Sequence, residues 1–182
     1  MIIIGYPGIG KSEASKQFIE VIDLESSFIT KENGLLSFGE QLGYCNLAEY
    51  LSKQGCIVCV SSHTEVQKLL LRSTEQIYIC YPEEELKDFW FHRLRQRYVE
   101  DPTDKNYKAL ERVVEHFDED IKAMKNSGFD KIELQGGVFL SDVLINSARN
   151  QEVKNTELEE VDDAGDEPVV EEMAVDDTKN IE

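Results

Sequence analysis

Short unbroken apolar runs alternate along the chain with longer segments in which apolar residues return every three or four positions. Met1-Ile2-Ile3-Ile4 is one such run. The others are Val21-Ile22, which closes on Asp23-Leu24-Glu25, Cys56-Ile57-Val58-Cys59-Val60-Ser61 and Gln76-Ile77-Tyr78-Ile79-Cys80. Apolarity without alternation predicts strands buried on both faces. Helix-period segments lie between them. One follows the first run from Ser12 to Ile19. A second runs from Asn46, read as its cap, to Gln54, and Gly55 stops it. A third covers about 64–72, with Val66, Leu69 and Leu70 on one side. Residues 31–44, glycine-containing and weakly periodic, read as a substrate-side loop or a weak helix. Residues 83–100 and 104–126 form a long helical region broken at Asp101-Pro102. In its second half Tyr107, Leu110, Val114, Phe117, Ile121 and Met124 make an apolar stripe. Lys131-Ile132-Glu133-Leu134 is a last short strand, and 138–148 a closing helix. Strands alternating with helices predict an α/β fold with about five mostly parallel strands and helices on both faces.

Charge divides the chain in two. The whole carries a formal net charge of -18 over 182 residues, but residues 151–182 hold 13 Asp/Glu and 2 Lys, a net of -11, leaving -7 for residues 1–150. The acidic segment has no aromatic residue and only scattered aliphatics, too little apolar surface to offset chain entropy, so 151–182 reads as a disordered tail. A mildly acidic body of residues 1–150 argues against non-specific nucleic-acid binding, which needs a basic face. The start has neither the basic region nor the cleavable apolar length of a secretory signal, and no run reaches the roughly 18 apolar residues of a membrane span. Cys45, Cys56, Cys59 and Cys80 fall in or beside core elements. Cys56-x-x-Cys59 has the spacing of a redox or zinc pair, but it sits in a strand and has no second pair. Buried thiols in a reducing cytoplasm are the expectation.

Gly5-Tyr6-Pro7-Gly8-Ile9-Gly10-Lys11-Ser12, directly behind the first apolar run, matches G-x-x-x-x-G-K-[ST], the Walker A phosphate-binding loop. Each position has physical work in that reading. Glycines allow the tight turn that aims successive N–H groups at one anion. Lys11 reaches the outer phosphates, the Ser12 hydroxyl ligates Mg²⁺, and the following helix adds the positive end of its dipole. Gly5, Pro7, Gly8, Ile9, Gly10, Lys11, Ser12 and Glu13 are therefore the expected nucleotide-binding set. The bland alternative is a glycine-rich turn that matches by chance.

Ligands of parallel α/β sheets sit beyond the carboxyl ends of the strands. That rule selects Asp23 and Glu25, Ser61-Ser62-His63, and Tyr81-Pro82. Asp23 is the candidate catalytic or metal-orienting carboxylate, against a merely solvated or capping acid. His63 and the serines serve equally well as helix caps. In Phe91-His92-Arg93-Leu94-Arg95-Gln96-Arg97-Tyr98, Arg93 and Arg97 share a helix face and are candidates for stabilising a transferred phosphoryl group. Ordinary pairing with nearby acids is the alternative. Phe28, Phe38 and Tyr44 are candidates for stacking a nucleobase, against ordinary packing as the alternative. Trp90 and Phe91 read as packing.

Loop, acid after the second strand, and arginine helix after Tyr81-Pro82 together resemble the small-molecule branch of P-loop kinases, the nucleoside monophosphate and shikimate/gluconate kinase group. The layout also looks like small nucleotide-kinase-like proteins of bacteriophages. The resemblance covers about residues 1–148 and is specific at the loop. It implies a three-layer P-loop NTPase fold, a helical lid at about 83–103, ATP and Mg²⁺ as cofactors, and a small acceptor such as a (deoxy)nucleoside monophosphate. By the same resemblance Lys11, Asp23, Arg93 and Arg97 are catalytic, and Ser12 and Asp23 face the metal. The third strand ends in Ser61-Ser62 and not a Walker B aspartate, and Thr103-Asp104-Lys105-Asn106 is not a guanine-recognition element. The first departure weakens a motor or switch reading, and the second favours ATP over GTP. A nucleotide-binding regulatory protein with a partner-binding acidic tail, and a slow NTP hydrolase, are the rival readings. A homodimer is left open.

Overall fold

The computed structural model describes residues 1–24 and 37–147. Glu25, Phe28, the 31–36 part of the expected substrate-side loop and the acidic tail lie outside the described residues. A compact unit spans Met1–Ile145, and the second unit, from Asn146 on, lies almost wholly outside them as well.

The four apolar runs and the last short segment are strands: β1 (Ile2–Gly5), β2 (Val21–Asp23), β3 (Ile57–Ser61), β4 (Ile77–Pro82) and β5 (Asp130–Leu134). They form one all-parallel sheet in the order β2-β3-β1-β4-β5. β1 is central, with Ile2 opposite Val58 of β3 on one side and Ile77 of β4 on the other. Ile2, Ile3 and Ile4 are fully buried, as a strand covered on both faces requires. The flanking helices are α1 (Lys11–Gln17), α2 (Phe38–Lys53), α3 (Thr64–Leu70), α4 (Lys87–Glu100, after a 3₁₀ turn at Glu84–Leu86) and α5 (Asp104–Lys125). Residues 140–147 form a closing helix, α6. Among the described residues no helix is long and apolar enough to cross a membrane.

Two expectations change. The second helix is capped at Ser37 and not at Asn46, so 38–44 takes the helical one of its two readings and joins α2. Ser37 Oγ accepts from the Glu40 N–H at 3.3 Å, while Glu40 Oε2 accepts from the Ser37 N–H at 2.7 Å. This reciprocal capping box satisfies the first free donors and fixes the start. Tyr44, Cys45, Ala48 and Ser52 then give the helix its buried face. The stripe of α5 is also rotated. Val113, Phe117, Ile121 and Met124 are buried, whereas Tyr107 and Val114 are 49% and 56% exposed. Adjacent valines at 113 and 114 satisfy the helical period almost equally, and packing selects Val113. The face also includes a polar residue: buried Asn106 donates from Nδ2 to the Asp101 carbonyl and carboxylate at 2.7 and 3.0 Å, closing the turn between α4 and α5.

Cys45, Cys59 and Cys80 are buried, Cys56 half-buried, and all four are free thiols. Burial pushes the Cys59 thiol up to about 12.

Candidate functional site

The loop between β1 and α1 turns on two glycines with left-handed backbone, Gly8 at φ 87° and Gly10 at φ 94°. L-residues adopt that region at a cost of roughly 1–2 kcal/mol. Gly10 is the N-cap of α1 and offers no side chain to the first-turn donors. The N–H groups of Gly8, Gly10 and Ser12 meet no acceptor among the described residues. Unpaired donors at the start of a helix are the elements of an anion cradle. Lys11 folds back over the loop, and its Nζ donates to the Gly5 carbonyl at 3.0 Å and the Tyr6 carbonyl at 3.5 Å. A Cβ at Gly5 would lie 2.6 Å from Ile9 Cδ1 and 2.8 Å from Lys11 Cδ, so glycine there makes room for the lysine. Ile9 is fully buried and contributes backbone alone, its carbonyl accepting from the Leu140 N–H at 3.0 Å. Glu13 faces outward, bonded to Gln17 and paired with Lys16.

The end of β2 brings Asp23 to the start of α1. Ser12 Oγ donates to Asp23 Oδ2 at 2.5 Å. Two oxygen donors from separate elements thus converge at the rim of the sheet. Among the described residues no group of three or more His, Cys, Asp or Glu side chains is arranged to hold a metal ion.

These residues open on one cavity of about 460 Å³ beyond the carboxyl ends of β1, β2 and β3. Pro7, Gly8, Gly10, Lys11 and Ser12 line one side, with Asp23 and Leu24 beside them and Ser61 and His63 at the end of β3. The rest of the lining is mostly basic: Arg97 from α4, then Lys105, Lys108 and Arg112 from the first turns of α5, together with Asp104. Arg112 is fixed. Its Nε donates to Asp120 Oδ2 at 2.5 Å and its Nη2 to Asp120 Oδ1 at 3.0 Å. Burial alone would lower its pKa, but the hydrogen bonds and charge of Asp120 hold it above the ordinary value. Ser61 Oγ is buried and bonds to nothing among the described residues.

Helix α4 is seated against the loop. Trp90, fully buried, donates from Nε1 to the Pro7 carbonyl at 2.8 Å. A Cβ on Gly8 would meet Trp90 Nε1 at 3.0 Å and Leu94 Cδ2 at 3.2 Å. The arginine pair is divided by this seating. Arg97 lines the cavity, whereas the Arg93 guanidinium lies 3.5 Å from the centre of the Phe139 ring. Burial, and then the charge of Arg97, lowers the Arg93 pKa.

The base-stacking candidates part in the same way. Tyr44 is buried, its hydroxyl donating to the Leu24 carbonyl at 2.6 Å and accepting from the Ser61 N–H at 3.0 Å. It ties the ends of β2 and β3 to α2 and offers no stacking face. Phe38 is exposed at the start of α2, and Phe28 lies outside the described residues.

Lys105, Lys108 and Arg112 are absent from the expectations. Their signal was a second periodicity in α5, basic residues three and four apart, running beside the apolar stripe. Compared with known proteins, the chain matches no protein-family model and no curated protein.

Proposed function

We propose that the chain has the three-layer P-loop NTPase fold and is an ATP- and Mg²⁺-dependent phosphotransferase. Its acceptor is a small molecule, most concretely a (deoxy)nucleoside monophosphate. The observation that carries this reading is the cavity itself, which a glycine loop whose N–H groups meet no acceptor among the described residues lines together with four further basic side chains, beyond the carboxyl ends of parallel strands.

Phosphoryl transfer depends on positioning and on charge stabilisation of the moving group. The loop N–H groups and Lys11 would hold the donor phosphates. Arg97 lines the same cavity from α4, where a guanidinium would stabilise charge developing between donor and acceptor. The stacked Arg93 supports the position of α4. Ser12 Oγ and the Asp23 carboxylate suit a magnesium ion, which takes oxygen ligands in small number and leaves the rest to water and phosphate. When bound, the ion would neutralise phosphate charge. Asp23 would also be within reach of an acceptor hydroxyl at the rim and would accept its hydrogen bond.

The test is a screen of nucleosides, nucleotides and hydroxylated metabolites for acceptor-dependent ADP formation from Mg²⁺-ATP, with Lys11→Met as control. Turnover should fall by about a hundredfold or more in that variant. Phosphate release without any acceptor would assign the protein as a hydrolase instead. Tight ATP binding with no release would assign it as a regulatory nucleotide-binding protein.

A further inference from the structure

Helix α2 turns one side inward, with Tyr44, Cys45, Ala48 and Ser52 buried. The opposite side carries Gly39, Leu42, Gly43, Asn46, Leu47 and Tyr50, all exposed, with Phe38 at its edge. At 3.6 residues per turn these positions form one stripe along most of the 16-residue helix. Phe38 is 69% and Tyr50 60% exposed. In a chain with 37 acidic and 19 basic side chains, the stripe is uncharged until Lys53 in the last turn. The nearest acids, Glu40 and Glu49, are half-buried on its flanks. The exposed parts of Phe38, Leu42, Leu47 and Tyr50 come to roughly 500 Å², the scale of the apolar patches that serve binding on monomers.

The order of large and small residues along the stripe decides what fits it. The stripe can be laid antiparallel on a second copy of itself, about a point midway between Tyr44 and Cys45. Leu42 then lies against the partner's Leu47, Gly43 against the partner's Asn46, and Gly39 against the partner's Tyr50, each contact occurring twice. A Cβ at Gly39 or Gly43 would meet nothing within 4 Å, so both positions have room for a partner side chain. Large residues thus face leucine or open glycine, the fit that close helix packing needs. A two-fold axis makes such a contact self-complementary and closed. Antiparallel helices also set opposite dipole ends side by side. Copies with a net charge of -18 repel each other, and a stripe without acids is where that repulsion is least. We propose that this face of α2 is a homodimer interface, with Leu42, Leu47 and Tyr50 as its anchors. Doubled by the axis it covers roughly 1,000 Å² of apolar surface, the low end for a specific interface, so the dimer is reversible. The interface stands apart from the cavity and does not depend on the nucleotide reading.

Sedimentation velocity of the full-length protein, from micromolar to several hundred micromolar, tests the interface. The wild type should pass from monomer to dimer as concentration rises, and the dissociation constant should weaken about tenfold or more in Leu42→Lys and in Leu47→Glu. Both positions are exposed, so each variant should keep the wild-type urea midpoint in dilute protein. An equimolar mixture of the two variants should associate more tightly than either alone, because opposite charges then meet across one of the two Leu42–Leu47 contacts. A wild type that stays monomeric throughout overturns the proposal, as does a dimer that both variants leave unchanged. No gain on mixing overturns the antiparallel pairing and the proposal with it. A monomer whose urea midpoint falls in Leu47→Glu overturns it too, giving the face to other residues of the same chain.

Discussion

Ser12 Oγ and Asp23 Oδ2 are 2.5 Å apart, joining the first turn of α1 to the end of β2. The bond closes the rim of the sheet at the point where the loop ends. It also occupies the hydroxyl that would face a metal ion, so binding the ion requires the Ser12 proton to give way while the Asp23 carboxylate stays close. Asp23→Asn keeps the shape and removes the charge. The Mg²⁺ concentration for half-maximal turnover should rise by about tenfold or more, as for other lost carboxylates next to a metal. Stability should stay within about 0.5 kcal/mol because the pair is exposed. An unchanged Mg²⁺ curve would remove Asp23 from the metal.

Trp90 is the only tryptophan, and its indole N–H is bonded to the Pro7 carbonyl of the loop. Any movement of the loop on filling with phosphate must alter the surroundings of that ring. Intrinsic fluorescence should therefore change saturably on titration with an ATP analogue and not with adenosine. Trp90→Phe abolishes the signal and leaves a partly buried carbonyl without its donor, at a cost of about 1 kcal/mol in urea unfolding. A flat titration in protein shown by calorimetry to bind the analogue would mean that the loop does not move.

The parallel sheet was legible because four of its strands are continuous apolar runs, a pattern that parallel burial demands. The loop was legible because its chemistry is local: glycines at the turns and a lysine that folds back within a few residues. The basic part of the lining was not. Lys105, Lys108 and Arg112 reach the cavity only because the turn at Asp101–Thr103, closed by buried Asn106, sends α5 back along α4. A polar residue that is buried to satisfy a turn is invisible to a hydrophobicity pattern. The start of α2 was missed for a related reason, since the capping box at Ser37 and Glu40 competes with Gly39 and Gly43, which suggest a loop. Both glycines stand where a Cβ would meet open space, so they neither help nor hinder the packing.

Arg93 and Arg97 share a helix but meet different surroundings, and their variants should separate accordingly. Arg93 lies over the Phe139 ring and is half-buried, so Arg93→Gln should cost about 0.5–2 kcal/mol of stability. Its effect on turnover, in the folded fraction, should be small. Arg97 is exposed and lines the cavity. Arg97→Gln should leave the unfolding midpoint where it is and lower kcat by about tenfold or more. Equal kinetic losses at both positions would show that α4 acts as a unit and that the division seen between the two guanidinium groups has no functional meaning.

Alkaline pH should destabilise the protein well before its lysines titrate. Burial raises the thiol of Cys45 from 9.0 to about 11 and that of Cys59 from 9.0 to about 12, and burial likewise raises the Tyr44 hydroxyl from 10.0 to about 12. In the unfolded chain the same groups lose their protons near their ordinary values. The folded state therefore binds more protons between those values and the raised ones, and stability falls as pH rises through that window. Below it, all three groups are neutral in both states and contribute no slope. The urea midpoint should be flat with respect to these groups between about pH 7 and 8 and decline above about pH 9. Cys45→Ala tests the assignment, since it removes one titrating thiol without touching the loop. Its stability curve should lie lower at neutral pH and decline less steeply above the thiol's ordinary range. A decline as steep as in the wild type would place the alkaline sensitivity elsewhere.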